Sequence, residues 1–409
     1  MPEIEVTEIE TSALSHAPGS MPSQDLSGPL GEDPPILFAA PDVTDDDVEA
    51  VTRVMRSGWL TTGTESKLLE AELAAFLGAE HVIAVSSCTA ALEIALAYLR
   101  LPRGSRVGVP AWTFISSALA AHHNGLVPVL LDVEPDTLNL SPAALEAALS
   151  EGLDAVVAVH FGGVAVSQEI HRLCADAGVP LVEDAAHALG TSDHRGLIGG
   201  LGTQAACFSF YATKNLTSAE GGALATDDPE LAAFASSHRI HGMSADSWAR
   251  YRPGGGSHYD MVEPGIKANM PDMLAALARS QLARFCSMQA LRRELLDDYR
   301  AHLEPAGLRF VPEKPVSGSA DHLAVVMLPA EVDRAVVIEG LKARGIHPSV
   351  HFRPLHHFDW FAKNAPVGPT GLTVCDELAA RALSLPLHVG LSDADIKRVS
   401  TTLLELVDQ

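Results

Sequence analysis

Short apolar runs recur through the first half of the chain, at 81–86, 106–110, 127–133, 155–160, 180–184, 205–210 and 222–226. Each has the length of a β-strand, and several are rich in Val, Ile and Leu, the residues that suit a strand buried on both faces. Between the first five lie segments with helical character, at 89–100, 114–124, 142–150 and 168–177. Their ends carry helix signals: Ser141 precedes Pro142 as a cap before a first-turn proline, and Gly125 and Gly178 stand just past two C-termini. Continuous apolar strands alternating with amphipathic helices predict βαβ units, hence an α/β fold with a mostly parallel sheet covered on both faces. In such a sheet the chemistry gathers beyond the C-terminal ends of the strands.

After residue 226 the alternation stops. The segment 251–258 (YRPGGGSH) reads as a glycine-rich loop, and 271–300 as one long helix with Leu274, Leu277, Gln281, Leu282 and Phe285 along one side. From about residue 304 the pattern predicts a smaller α+β domain: strand 322–328, helix 332–344, a short run at 347–352 and a closing helix at 393–406. No internal repeat is visible. The expected organisation is a tail over 1–35, a large α/β domain over 36–270, and the long helix with the small domain over 271–409.

Composition narrows the classes. A chain of 409 residues, 47% apolar and 20% charged, has ample material for two or three globular domains. Its 28 Lys+Arg stand against 52 Asp+Glu, a net charge of −24 with no basic run, which argues against nucleic acid as a partner. The first 35 residues are acidic, carry Ser, Pro and Gly and no aromatic residue, and predict a disordered tail. They lack the basic and apolar regions of a signal peptide, and no apolar run is long enough to span a bilayer, so a cytoplasmic protein without a membrane partner is expected. Cys88, Cys174, Cys207, Cys286 and Cys375 are scattered and form no CxxC pair, which fits reduced thiols.

The candidate chemistry sits at strand ends. The run at 180–184 leads through Glu183-Asp184-Ala185-Ala186 to His187, and the run at 205–210 leads into Tyr211-Ala212-Thr213-Lys214-Asn215. An Asp and a Lys delivered to one sheet edge match what pyridoxal 5′-phosphate requires: an amine to hold the cofactor as a Schiff base, and a carboxylate to pair with its pyridine nitrogen. Ser86-Ser87-Cys88-Thr89-Ala90 lies where a strand meets a helix, and such an N-terminus suits a phosphate. Ser209 can add a hydroxyl, and Trp112 or Phe114 a flat neighbour for a ring. Taken singly, each has an ordinary alternative: a strand-end Asp or a Ser pair as a helix cap, a loop Lys as a solvated charge. Their coincidence at one edge carries the reading.

The motifs FxFYATKNLTxxEGG, VEDAAHALG, SGWLTTG (57–63), VSSCTAAL (85–92), IHGM (240–243), NMPDMLAALARSQL (269–282) and HFRPLH (351–356) closely resemble the DegT/StrS-type sugar aminotransferases. The branch that makes 4-amino-4-deoxy-arabinose on a uridine diphosphate carrier is the most similar. The resemblance runs from about residue 36 to the C-terminus. It implies a fold-type I pyridoxal-phosphate enzyme, with a mostly parallel seven-stranded sheet, working as a homodimer with shared active sites. Lys214 then matches the Schiff-base lysine and Asp184 the pyridine-nitrogen partner, these two being the catalytic residues. His187 matches the residue flanking the ring, Phe114 the one stacking on it, and Thr89, Ala90 and Ser209 the phosphate ligands. Asn269 matches the asparagine that reaches the neighbouring subunit's cofactor phosphate; read without the family it is equally a helix cap. Thr62, Arg239, His241, His351 and Arg353 are candidates for substrate contact, with Arg195, His356 and His357 as further available donors. The segment 191–196 departs from the family pattern, which puts substrate recognition near that loop in question. No Cys or carboxylate completes a ligand spacing with His351, His356 and His357, so no metal site is expected.

The function so implied is transfer of an amino group, with L-glutamate as donor, to a nucleotide-linked keto sugar, through pyridoxamine phosphate. A cyclitol-ketone aminotransferase and a non-catalytic pyridoxal-phosphate-binding regulatory protein are the alternatives. Related sugar dehydratases carry a His where this chain has Lys214.

Overall fold

The computed structural model describes residues 34–244 and 259–408. The expected tail up to residue 33 and the glycine-rich stretch 251–258 lie outside the described residues. The chain opens with two helices, α1 (Asp45–Ser57) and α2 (Thr64–Leu77). α1 begins in a capping box between Thr44 and Asp47, has Asp45, Asp46 and Asp47 in its first turn, where the helix dipole favours negative charge, and ends at Gly58 with φ 74°. α2 has no side-chain cap of its own at Gly63. The buried Asp272, far along the chain, supplies one, accepting from the N–H groups of Gly63 (2.7 Å), Ser66 (3.0 Å) and Glu65 (3.1 Å).

The α/β layer follows: β1 (His81–Val85), α3 (Cys88–Tyr98), β2 (Arg106–Pro110), α4 (Ile115–His123), β3 (Val127–Leu131), α5 (Pro142–Ser150), β4 (Ala155–Val159), α6 (Gln168–Ala177) and β5 (Leu181–Asp184). A small hairpin, β6 (Ser192–Asp193) and β7 (Gly196–Leu197), precedes β8 (Ala206–Ser209), β9 (Gly222–Thr226) and α7 (Pro229–His238). One seven-stranded sheet results, in the order β1-β9-β8-β5-β4-β2-β3. Only β9 runs against its neighbours, so the sheet is mostly parallel. Its strands are almost wholly buried, and α3 beneath it loses Ala91, Leu92, Ile94, Ala95 and Leu96 to the core. Each such leucine or isoleucine contributes about 1.5–3 kcal/mol by burial.

The expected long helix is two helices, α8 (Asp272–Ala283) and α9 (Phe285–Leu303). The break falls at Arg284, whose backbone leaves helical geometry (φ −113°) while its guanidinium bonds the carboxylates of Asp42 and Asp47. Beyond it lie β10 (Arg309–Val311), β11 (Ala324–Met327), α10 (Arg334–Ala343), α11 (Asp359–Asn364), α12 (Thr373–Ala379), β12 (Ala382–Leu385) and α13 (Asp393–Val407). β10, β11 and β12 form a separate antiparallel sheet. A second core joins this sheet to α9, α10 and α13, with Leu295, Tyr299, Phe310, Val326, Leu341, Leu383 and Val399 inside it. Ile36, expected to open the larger domain, packs into this second core and bridges Ile346. The run at 347–352 is not a strand: only Ser349 pairs, with Ser384, because Pro348 cannot donate to a ladder.

Candidate active site

The C-terminal ends of β2, β4, β5 and β8, the turn from β1 into α3 and the start of β9 all open on one edge of the large sheet. There they enclose a cavity of about 340 Å³. Its walls include Ser87, Cys88, Thr89, Phe114, Asp184, His187, Ser209, Lys214 and His351. A larger open groove, about 680 Å³, runs between α1, α2 and α8 and is lined by paired charges such as Arg279 with Glu72. The smaller cavity is the one with convergent chemistry.

Asp184 ends β5 and is buried. Its Oδ2 accepts from the hydroxyl of Ser117 at 2.7 Å, which in turn lies 2.7 Å from the Thr113 hydroxyl, and its Oδ1 accepts from the N–H of Ala186 at 3.1 Å. Strand alternation sends the adjacent Glu183 to the opposite face. There it accepts from Arg195 (2.7 Å) and lies 3.1 Å from His171. Burial alone would raise the Glu183 carboxyl, but hydrogen bonds from His160, His171 and Arg195 bring it well below the usual range.

Lys214 projects from the turn that leaves β8, where its N–H donates to the Tyr211 carbonyl at 2.9 Å. Enclosure of its amine by the cavity walls lowers the ammonium from 10.5 to about 8, against the opposing pull of Cys88 and Asp184. His187 is held well below its ordinary value, first by burial and then by Lys214 and His351, so its ring is neutral. Its Nδ1 accepts from the Gly162 N–H at 3.3 Å, which leaves the proton on Nε2. Burial and Lys214 bring His351 down to about 3. Phe352 stacks near His187, with ring centroids 5.8 Å apart and 20° between planes, and Phe114 stands at the mouth, 55% exposed.

The N-terminus of α3 faces the same space. Ser87 caps it, accepting from the Ala90 N–H at 3.1 Å, so that amide is already engaged and Ala90 is not part of the wall. Thr89 and Ser209 are. Gly222 is required for this approach: a Cβ there would lie 2.5 Å from the Phe208 carbonyl oxygen and 2.6 Å from the Cys88 nitrogen. A helix N-terminus with hydroxyls, a low-lying amine and a buried carboxylate on different walls fit the phosphate, aldehyde and pyridine nitrogen of pyridoxal phosphate.

Other sequence candidates lie elsewhere. Arg239 is not at the cavity: it is buried behind β1, with Nη1 2.5 Å from both Glu70 Oε1 and the Ala84 carbonyl oxygen. Arg195 is occupied by Glu183 and Asp193, each 2.7 Å from its Nη2. Arg353 bonds the His357 carbonyl and lies 4.7 Å over the Phe358 ring. His241 is exposed, with its backbone N–H on Ile266. Asn269 and Thr62 pair with each other, Nδ2 to Oγ1 at 2.6 Å, outside this chain's cavity wall. Sequence reasoning missed Ser117, whose signal is a polar residue interrupting an apolar helix face one turn after Phe114. It also missed His322, whose ring lies 4.3 Å from that of His187.

Residues 41–404 match the model of the DegT/DnrJ/EryC1/StrS aminotransferase family. The spore coat polysaccharide biosynthesis protein SpsC of Bacillus subtilis is 38% identical over 376 residues, 90% of this chain and 96% of that protein. Among solved structures, the putative sugar aminotransferase Spr1654 of Streptococcus pneumoniae in its PMP-form superposes with a TM-score of 0.84 at 28% identity, covering 91% of this chain and 99% of that one. DesI, solved in the presence of its TDP-sugar product, gives 0.82 at 31% identity over 93% and 95% of the two chains. With the sheet, the cavity and these likenesses in agreement, the chain belongs to the DegT/DnrJ/EryC1/StrS aminotransferase family, an enzyme of fold type I.

Proposed function

We propose that the protein is a pyridoxal-phosphate-dependent aminotransferase that moves an amino group from L-glutamate to a nucleotide-linked keto sugar. The observation that carries the reading is the cavity in which a lysine lowered to about 8, a buried Asp184 and the N-terminus of α3 face one another. Similarity to Spr1654, solved in PMP- and PLP-forms, and to DesI, solved with a TDP-sugar product, supports the cofactor and the acceptor class. The cofactor, when bound, serves as an electron sink and as the temporary carrier of the amino group.

The protein's own groups then have defined tasks. The hydroxyls of Thr89 and Ser209 and the α3 dipole hold the phosphate end. Asp184, itself fixed by Ser117 and the Ala186 amide, keeps a proton on the pyridine nitrogen. Neutral His187 and the exposed Phe114 confine the ring. Lys214 Nζ, neutral in a useful fraction of molecules near neutral pH, takes the proton from the donor Cα and returns it on the other side of the reaction. Asn269 and Thr62, paired beyond the wall of their own cavity, fit a shared site in a homodimer, where Asn269 would reach the partner's phosphate and Thr62 its substrate. His351 is the cavity-lining candidate for substrate contact.

Incubation with 15N-labelled L-glutamate and a panel of nucleotide-linked keto sugars, with a keto cyclitol as competitor, tests the acceptor. Mass spectrometry should find the label in an aminated nucleotide sugar. Label in the cyclitol alone would move the assignment to that class.

A further inference from the structure

Among the described residues, two clusters of metal-ligating side chains lie away from the active-site cavity. In the first, His171, Glu183 and Asp193, the guanidinium of Arg195 already sits between the carboxylates. The second has no such resident cation. His356 and His357 end a short helical turn, Leu355–His357, and Asp376 lies in α12, with the Nε2 atoms of both histidines 2.8 Å from the same oxygen, Asp376 Oδ1. Among the described residues Asp376 pairs with these histidines and with no lysine or arginine.

We propose that His356, His357 and Asp376 form a binding site for a divalent transition-metal ion of the zinc type. Sequence spacing hid it, because the carboxylate comes from a helix about twenty residues downstream. Two imidazoles and one carboxylate are the donor set of open three-ligand zinc sites, in which water takes the fourth position. Bonds of about 2.0–2.1 Å in tetrahedral geometry place ligand atoms about 3.3 Å apart, so the 2.8 Å contacts need to open by only about half an ångström. The solvent-exposed side of Asp376 leaves room for the water. Without an ion the Asp376 carboxylate holds the proton on Nε2 of each histidine; coordination through Nε2 moves that proton to Nδ1, which in His356 is buried and makes no other hydrogen bond.

Both halves are held before any ion arrives. The Leu355 N–H donates to the Ala111 carbonyl at 2.8 Å, and the Leu355 side chain is fully buried, which anchors the histidine turn to the end of β2. Asp132 caps α12, accepting from the N–H groups of Val374 (2.9 Å) and Cys375 (3.0 Å). Arg353, the nearest arginine in sequence, is spent on the His357 carbonyl and the Phe358 ring. An ion here would pin the segment that also carries His351 and Phe352 into the cavity wall.

The test is calorimetric titration of zinc into tag-free, chelator-treated holoprotein, with magnesium as a control. Wild type should bind one zinc ion per chain and gain thermal stability with it. Asp376→Asn and His357→Ala should bind it more than about tenfold more weakly and show no zinc-dependent rise in Tm. Both variants should keep the near-visible cofactor absorbance, which certifies their fold. Cobalt in place of zinc should give the visible absorption of a four-coordinate ion in wild type alone. Zinc binding that is absent in wild type, unchanged in both variants, or matched by magnesium would overturn the proposal.

Discussion

Lys214→Met in the cofactor-free protein isolates the property on which the proposed chemistry rests. Enclosure lowers the Lys214 ammonium from 10.5 in the unfolded chain to about 8 in the fold. Below pH 8 the folded protein carries a charged amine it disfavours, and the penalty is relieved as pH rises from 8 to 10.5, because the unfolded chain binds more protons throughout that window. Integrated over that difference, the cost is about 3 kcal/mol at pH 7 and about 1 kcal/mol at pH 10. Lys214 retains some solvent exposure, so these figures are ceilings. Methionine removes the charge and keeps the length. The variant should therefore be more stable than wild type at pH 7, and its advantage should shrink by about 2 kcal/mol by pH 10. Packing changes from the methyl thioether shift both values equally and drop out of the difference. Urea unfolding of the two apoproteins at pH 7 and pH 10 measures it. A stability gap that stays constant or widens with pH would refute a lowered Lys214.

Three further outcomes are expected. Gly222→Ala drives a methyl group into the Phe208 carbonyl and the α3 N-terminus and should cost about 1–3 kcal/mol, with weakened pyridoxal-phosphate binding, read by denaturation and cofactor titration. Asp272→Ala leaves the amides of Gly63, Glu65 and Ser66 without their acceptor and should cost about 3–5 kcal/mol, read as a lowered Tm. Ser117→Ala removes the 2.7 Å hydrogen bond to Asp184 Oδ2, and cofactor affinity should fall by about tenfold in a fluorescence titration, while Ser117→Thr should lose less.

The strands of the large sheet were legible because buried strands leave uninterrupted apolar runs: 106–110 and 222–226 coincide with β2 and β9, and the helices at 142–150 and 168–177 with α5 and α6. The break at Arg284 was not, since its cause is a pair of aspartates more than two hundred residues away. The same limit applies at the site. Asp184, Lys214, Thr89 and Ser209 announce themselves through strand-end position and motif, and all line the cavity. Whether an arginine is free is a tertiary fact: Arg239 and Arg195 read as available donors until Glu70, Glu183 and Asp193 are seen to hold them. Ser117 gains its meaning only when α4 folds over β5, and Asp376 only when α12 meets the 355–357 turn.

The most direct test is the absorbance spectrum of the protein with pyridoxal phosphate, recorded before and after L-glutamate, for wild type and Lys214→Ala. Wild type should show a near-visible band that glutamate removes with release of 2-oxoglutarate, and the variant should release none. A wild-type band unaffected by glutamate would contradict the proposed donor, and equal 2-oxoglutarate release by Lys214→Ala would contradict the role of Lys214.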